Sequence, residues 1–130
     1  MRRLRAALAL FAVLVVGTVS CGDKEPAGPT AGTLYLALES PNGEVGAIRM
    51  RISGAGIANI EAAQPFQVYY RETGGDRLEV VVVGDVLGGD LLSLEVPDVD
   101  APYPVSLIEV ASRENTLRQA LGAYTLRLHP

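Results

Sequence analysis

The sequence predicts an all-β protein whose folded part is a single small β-sandwich of about seven or eight strands. Two observations predict this. From Thr33 onward, apolar residues alternate with polar ones at a period of two, which is the pattern of strands that bury one face. These short runs are separated by clusters of Gly, Pro, Asn and Asp, and no ten-residue segment has the periodicity of an amphipathic helix. We therefore expect two sheets that pack face to face.

The first two predicted strands lie on either side of a turn. The leucines of residues 34–38 share one face of the first strand, and the aliphatic side chains of residues 48–52 share one face of the second, with Arg49 and Arg51 on the opposite face. The sequence Ser-Pro-Asn-Gly of residues 40–43 separates them and is a strong turn signal. We expect these two strands to be neighbours in one sheet.

The remaining predicted strands are short, and each is bounded by turn residues. They lie at residues 66–71, 77–83, 91–96, 105–110 and 123–129. The four valines of residues 80–83 break the alternation, which predicts a central strand that is buried on both faces. The glycine-containing segments 84–85 and 88–90 are predicted to be turns. They are not predicted to be phosphate-binding loops, because neither is followed by the lysine and the helix that such a loop needs.

The first 20 residues have the three parts of a secretory signal peptide. A basic region with Arg2, Arg3 and Arg5 precedes the apolar stretch 6–16, which is too short to span a bilayer at about 20 residues per crossing. The stretch 21–32 is rich in Gly, Pro and polar residues, which is typical of a flexible linker. The predicted organisation is a signal peptide at 1–20, a linker that begins with Cys21 at 21–32, and a β-sandwich domain at 33–130.

The end of the predicted signal peptide carries a family resemblance. Thr18-Val19-Ser20-Cys21 resembles the lipobox of bacterial lipoproteins, in which small residues precede a cysteine that is acylated on sulfur. The resemblance implies that Cys21, the only cysteine, anchors the protein through lipid to a membrane of the cell envelope, facing the periplasm or the exterior. The family usually has an aliphatic residue at the place of Thr18. The alternative is an ordinary signal peptide, which would leave Cys21 as a free thiol on a secreted soluble protein.

The charge distribution argues against nucleic acid as a partner. The chain carries a net charge of −4, and removal of residues 1–20 changes 11 basic and 15 acidic residues to 8 and 15, which is −7. An acidic domain repels phosphate backbones, and the sequence has no basic stripe that could release counterions on binding. No cofactor is expected, because the sequence contains no recognisable ligand-binding motif.

The order of features in residues 45–110 looks like that of a cohesin-type or carbohydrate-binding-module-type β-sandwich. The features are a strand at 46–52, the corner Ser-Gly-Ala-Gly-Ile at 53–57, a strand at 78–83, the turn Gly-Gly-Asp at 88–90 and a strand at 91–96. The similarity covers most of residues 33–129 and implies a cohesin-like, jelly-roll or immunoglobulin-like sandwich that serves as a binding module. Cohesins bind a protein module, and related sandwiches bind polysaccharide through exposed aromatic residues. This chain has no Trp, two Phe and five Tyr.

Tyrosines are the first candidates for a binding surface. Tyr69 and Arg71 are expected on the exposed face of the strand at 66–71, and Tyr70 joins them if a bulge turns it outward. Tyr35 and Tyr103 are further candidates for the same surface. The alternative for adjacent tyrosines is a half-buried position within the sheet.

Asp98 and Asp100 are the candidates for a metal site. Carboxylates two residues apart could begin a calcium loop, because calcium takes oxygen ligands. The alternative is a proline-bounded loop in which the aspartates cap turns through hydrogen bonds to their own backbone.

The predicted function is that of a non-enzymatic binding or structural module of the cell envelope, with an envelope protein or a glycan as its partner. His129 is the only histidine and lies beside the C-terminus, where chains fray, so a Ser-His-Asp triad is not expected. A multi-histidine zinc site is not expected either, because it needs more than one histidine. The alternatives are a calcium-dependent carbohydrate-binding protein and a small hydrolase that works through paired carboxylates. The carboxylates available for such a hydrolase are Glu39, Glu44, Asp98 and Asp100.

Overall fold

A computed structural model describes residues 22, 26–41 and 44–130, and in these residues it contains strands and no helix. The predicted signal peptide and Cys21 lie outside the described residues. The strands are β1 (Gly32–Glu39), β2 (Val45–Ser53), β3 (Ala58–Ala62), β4 (Gln67–Glu72), β5 (Arg77–Val86), β6 (Gly89–Val96), β7 (Val105–Ser112) and β8 (Thr125–His129). In the described parts of the chain, no segment forms a helix long and apolar enough to cross a membrane.

The strands form two antiparallel sheets of four strands each. Sheet A has the order β3-β6-β1-β8, and sheet B has the order β4-β5-β2-β7. The alternating apolar residues of the two sheets form one buried cluster, which includes Leu36 and Leu94 from sheet A and Met50 and Val80 from sheet B. The predicted all-β sandwich is confirmed.

The expected pairing of the first two strands is wrong. β1 lies between β6 and β8 in sheet A, and β2 lies between β5 and β7 in sheet B. The chain therefore passes from one sheet to the other between Glu39 and Val45. A turn signal predicts that the chain reverses, but it does not decide whether the next strand pairs with the first or faces it about 10 Å away across the core.

β5 is central in its sheet, as expected, but it is buried on one face only. Val80 and Val82 point into the core, whereas Val81 is half-buried and Val83 is exposed. The outer face of β5 has no further layer of structure over it among the described residues, so an apolar run here does not mean burial on both sides. The strand also continues through Gly84 to Val86 with a register shift, so the turn predicted at residues 84–85 is wrong.

β3 was not predicted by the sequence pattern. Its pairing with β6 is irregular between Ala58 and Glu61, and Asn59 has a left-handed backbone with φ of 44°. Only Ile60 of this strand is buried. A five-residue strand with a single buried side chain shows no alternation that could be recognised.

The chain is held against the sandwich two residues before β1 begins. The Thr30 N–H donates to Asp98 Oδ1 at 3.3 Å, and the Val99 N–H donates to the Thr30 carbonyl at 2.8 Å. These bonds attach the N-terminal approach to the loop between β6 and β7. The loop lies at the end of the sandwich where β1 starts, because Gly32 pairs with Val96.

Candidate functional site

The outer face of sheet B carries a cluster of charged side chains, which we call the arginine–glutamate cluster. Its members are Arg71 on β4, Glu79 on β5, Arg49 and Arg51 on β2, and Glu109 on β7. The register explains the cluster, because Arg71 and Arg51 both lie directly opposite Glu79, and Arg49 lies directly opposite Glu109. The cluster therefore spans all four strands of the sheet.

Glu79 is the centre of this cluster. Its Oε2 accepts hydrogen bonds from Arg71 Nη2 at 2.6 Å and Arg71 Nε at 3.1 Å, and its Oε1 accepts one from each of Arg49 and Arg51 at 3.3 Å. The side chain of Glu79 is 11% exposed. Two of the bonds come from the Arg71 guanidinium, and both end on the same oxygen of Glu79.

The hydrogen bonds shift the ionisation of the cluster. Those from Arg71, followed by those from Arg49 and Arg51, lower the pKa of Glu79 from 4.5 to about 2, although burial acts in the opposite direction. The pKa of Arg49 is raised, chiefly by its hydrogen bond to Glu109 and then by the one to Glu79. By formal charge, three arginines against two glutamates leave the cluster with one excess positive charge. This face is locally positive in a chain whose net charge is −4.

Two adjacent tyrosines border the cluster on β4. Tyr69 is 59% exposed and Tyr70 is 53% exposed. Together with Arg71, Glu79 and Val81, they line a shallow hollow of about 250 Å³. The Tyr69 hydroxyl donates to Gln67 Oε1 at 3.0 Å, which holds the ring on the outer face.

Tyr70 is exposed for a reason that differs from the expected one. β4 pairs with β5 without any register shift, so no bulge turns Tyr70 outward. Its side chain is on the same face as that of Val80, toward the interior, but β4 is at the edge of the sheet and leaves the ring open to solvent.

Tyr35 and Tyr103 do not join Tyr69. Tyr35 is exposed on the outer face of sheet A, where its ring stacks on that of His129 with centroids 5.7 Å apart. Tyr103 is 9% exposed, and its hydroxyl donates to the Asp98 carbonyl at 3.0 Å. Tyr103 is therefore a buried corner residue, and its prediction as a surface residue is wrong. β-strand alternation does not apply to it, because it lies in the loop before β7.

The stacked His129 also pairs with an acid. His129 Nε2 lies 2.8 Å from Asp90 Oδ1, and Nδ1 lies 3.0 Å from the Pro130 carbonyl. These bonds, with that to Asp90 first, raise the pKa of His129 above 6.5. The contact between His129 and Asp90 links β8 to the start of β6, and β1 lies between these two strands.

Asp98 acts within its own loop. Its Oδ1 accepts hydrogen bonds from the Asp100 N–H at 3.1 Å and the Thr30 N–H at 3.3 Å, which is the turn-capping arrangement. In residues 26–41 and 44–130, no group of three or more Asp, Glu, His or Cys side chains is placed to hold a metal ion. The second calcium candidate, Asp100, follows in the same turn.

The carboxylates proposed for a hydrolase are split between the two ends of the sandwich. Glu39 is the last residue of β1 and Glu44 precedes β2, whereas Asp98 and Asp100 follow β6 near the start of β1. The length of β1 alone separates the two ends by roughly 23 Å, at about 3.3 Å per residue. This exceeds the upper limit of about 9.5 Å for paired carboxylates in glycoside hydrolysis, so a carboxylate at one end cannot pair with one at the other.

The sequence pattern missed most of the arginine–glutamate cluster. Arg49 and Arg51 are recognisable as outward-facing, but their partner Glu79 lies about 30 residues further along the chain. Only the β2–β5 register brings these residues together. The one signal in the sequence was that charged residues alternate with apolar ones on two predicted strands, which places the charges on an outer face.

Comparison with known proteins gives no relative for this chain. No protein family, no curated protein and no solved structure matches it. The resemblances to a lipobox and to cohesin-type sandwiches therefore stay predictions.

Proposed function

We propose that this chain is an exported, lipid-anchored, non-enzymatic binding module of the cell envelope, and that it contacts its partner through the outer face of sheet B. One observation carries the choice of surface. Tyr69 is 59% exposed on this face, and it stands beside three arginines that are hydrogen-bonded to Glu79. Tyr and Arg are the residues that most often dominate binding energy at protein interfaces.

The hydrogen bonds of Arg71 to Glu79 support this surface. A free arginine loses rotamer freedom when it binds, but the hydrogen bonds to Glu79 already restrict Arg71 in the unbound protein. Tyr69 is likewise restricted through Gln67. Tyrosine adds contact area at low entropic cost, because it has only two side-chain torsions.

The charge of the surface indicates the chemistry of the partner. The arginine–glutamate cluster carries one excess positive charge, so the best match is an acidic group next to an apolar or aromatic one. We favour an envelope protein over a glycan, because the hollow is shallow and the chain has no Trp to stack on sugar rings.

The anchoring part of the proposal rests on Cys21. Eight residues separate Cys21 from Thr30, which is held to the β6–β7 loop, so this connection spans at most about 30 Å when fully extended. Two or three acyl chains on one cysteine give a stable anchor, whereas a single chain binds only marginally. The sandwich would thus act close to the membrane, with the end that carries the β6–β7 loop nearest the anchor.

The hydrolase alternative has less support. Its four carboxylates do not converge on one site, and Glu79 of the arginine–glutamate cluster accepts hydrogen bonds from three arginines. A carboxylate held ionised by three cations is a poor proton donor near neutral pH. The calcium-dependent alternative relies on Asp98 and Asp100, and Asp98 Oδ1 already accepts two backbone hydrogen bonds.

A photocrosslinking experiment tests the proposed surface. A benzophenone amino acid replaces Tyr69 in the full chain in living cells, and the matched control places it at Tyr35 on the opposite sheet. We expect light to give an adduct to a different envelope molecule from position 69 and not from position 35, with its identity read by mass spectrometry. No such adduct from position 69, or equal adducts from both positions, contradicts the proposal. A sugar adduct identifies a glycan as the partner.

A further inference from the structure

The two sheets have four edge strands, and they differ in how they are protected. An unprotected edge presents a row of free backbone donors and acceptors to which another strand can add. β3 is interrupted by its irregular pairing and the left-handed Asn59. β8 has only five residues, and two of them, Arg127 and His129, are basic side chains bound to acids of the same sheet.

The edge strand β7 is covered by the chain that follows it. Ala111 forms a bridge with Leu117, the Arg118 N–H donates to the Val110 carbonyl at 2.8 Å, and the Ser112 N–H donates to the Thr116 carbonyl at 2.9 Å. β4 has no such cover among residues 26–41 and 44–130. It has six residues in an unbroken register, and it contains no Pro, no Lys and no bulge.

The hydrogen-bond pattern shows which backbone groups of β4 face outward. The Thr73 N–H donates to the Arg77 carbonyl at 2.9 Å, and this pair continues the β4–β5 register by one residue. Hydrogen-bonded and non-hydrogen-bonded pairs alternate in an antiparallel ladder. The pair Glu72–Leu78 is therefore non-hydrogen-bonded, and so are the two pairs formed by Tyr70 and Val68. The backbone N–H and carbonyl groups of Val68, Tyr70 and Glu72 point away from β5.

We propose that β4 pairs antiparallel with β4 of a second copy of this chain, about a two-fold axis at Tyr70. In this register Tyr70 lies opposite its own copy, and Val68 lies opposite Glu72 of the second copy. Each outward-facing backbone group of these three residues then has a partner, and sheet B becomes one sheet of eight strands. In the neighbouring register, centred on Tyr69, the backbone groups of Val68 pair with those of Tyr70 of the second copy. The outward-facing groups of Glu72 then lie opposite Phe66, whose N–H already donates to the Ala63 carbonyl.

The side chains favour a second copy over an unrelated strand. With the axis at Tyr70, each Tyr69 lies opposite Arg71 of the other copy on the outer face, in a close non-hydrogen-bonded pair. An arginine can stack on a tyrosine ring, and the two-fold axis forms this contact twice. The two Tyr70 rings meet on the inner side of the edge, where each is now open to solvent.

This inference does not require that the proposed function be correct. Pairing through β4 would place the two arginine–glutamate clusters side by side on one continuous sheet. A partner that binds the outer face would then contact two copies at once, which raises avidity without new contacts. The photocrosslinking experiment asks whether a different molecule contacts the outer face, whereas the experiment below asks whether a second copy pairs with the β4 edge.

Disulfide trapping tests the pairing. The full chain carries Cys21→Ala, so that an engineered cysteine is its only thiol, and Tyr70→Cys is compared with Leu87→Cys, an exposed position in the β5–β6 connection. Opposed residues of a hydrogen-bonded pair have Cα atoms about 5.5 Å apart, within the roughly 4.4–6.8 Å that a disulfide spans. We expect mild oxidation to give a disulfide-linked dimer for Tyr70→Cys and little for Leu87→Cys. Tyr69→Cys tests the register and is expected to give less dimer than Tyr70→Cys.

A second variant tests the pairing without cysteine. Tyr70→Lys places two lysines face to face across the axis and should weaken dimerisation by at least about tenfold in sedimentation, because like charges directly opposite destabilise a strand pair. Leu87→Lys is the matched control and should leave dimerisation unchanged, and a thermal melt confirms that both variants fold. A monomer at all concentrations, or equal crosslinking of Tyr70→Cys and Leu87→Cys, overturns the proposal. Crosslinking of Tyr70→Cys to a different protein also overturns it and assigns the edge to a foreign strand.

Discussion

Arg71 Nη2 lies 2.6 Å from Glu79 Oε2, and this contact joins the edge strand β4 to the central strand β5 on the outer face of sheet B. Arg49 and Arg51 bond to the other oxygen of the same carboxylate from the opposite side. A single glutamate thus connects three adjacent strands. The exposed Tyr69 belongs to β4, so its position depends on this connection.

The first prediction concerns Glu79 and acid. Its pKa is about 2 in the folded protein and 4.5 ordinarily, so its ionised form stabilises the fold above about pH 4.5, and this contribution is lost as the pH falls toward 2. Glu79→Gln should therefore lower stability at pH 7 and flatten the loss of stability between pH 4.5 and 2. Urea unfolding across this pH range measures both effects. Glu61→Gln, on an exposed position of β3, is the control, and an equal response of both variants would contradict the assignment.

The second prediction concerns His129 and neutral pH. Its folded pKa is raised above 6.5, so the charged form stabilises the fold below that pH, and the contribution is lost as the pH rises through the folded pKa. Proton NMR can follow this ring directly, because His129 is the only histidine. We expect a pKa above 6.5 that falls in Asp90→Asn. An unchanged pKa in Asp90→Asn would mean that the 2.8 Å contact is not formed in solution.

The third prediction concerns the corner at Gly54. Its backbone has φ of 149°, and an added Cβ would lie 2.2 Å from Cδ1 of the buried Tyr103. Gly54→Ala should destabilise the fold by about 1–3 kcal/mol, the typical cost of a strained backbone, and by more if Tyr103 is displaced. Gly122→Ala is the matched control, because nothing lies within 4 Å of its added Cβ. Thermal unfolding of the two variants compares them, and equal melting temperatures would argue against the packing of Tyr103 on Gly54.

The fourth prediction concerns the core. Met50 is fully buried on β2, opposite Val80 of β5 and Leu107 of β7. Met50→Ala should cost about 2–5 kcal/mol of unfolding free energy, through lost burial and the cavity that remains. Leu87→Ala, at an exposed position, should change it by no more than about 0.5 kcal/mol. Urea denaturation gives both values, and a cost for Met50→Ala as small as that for Leu87→Ala would place Met50 outside the core.

The fold class follows from the sequence because alternation is a local property. The leucines of β1 and the aliphatic residues of β2 have the expected buried faces. The partners of β1 and β2 do not follow from the alternation. Contacts between residues far apart in the chain decide whether two strands pair in one sheet or face each other across the core. β3 was missed because one buried residue, Ile60, makes no pattern.

The candidate site is predictable to a similar extent. Tyr69 and Arg71 lie on the outer face, as their place in an alternating strand predicts. Tyr103 does not lie on the surface, because loop residues follow no period and this ring fills the space beside Gly54. The cluster around Glu79 required the β2–β5 register, which residue spacing does not specify.

The fifth prediction concerns the proposed lipid anchor at Cys21, which would hold this sandwich at a membrane. Cells that express the full chain are grown with an alkyne-bearing fatty acid, and the protein is assayed for incorporated label and for partition between membrane and soluble fractions. Lipid anchoring through Cys21 predicts a labelled wild-type protein in the membrane fraction, and an unlabelled protein in the soluble fraction for Cys21→Ala. A wild-type chain that takes up no label, or a Cys21→Ala chain that keeps its membrane partition, would contradict lipid anchoring through Cys21.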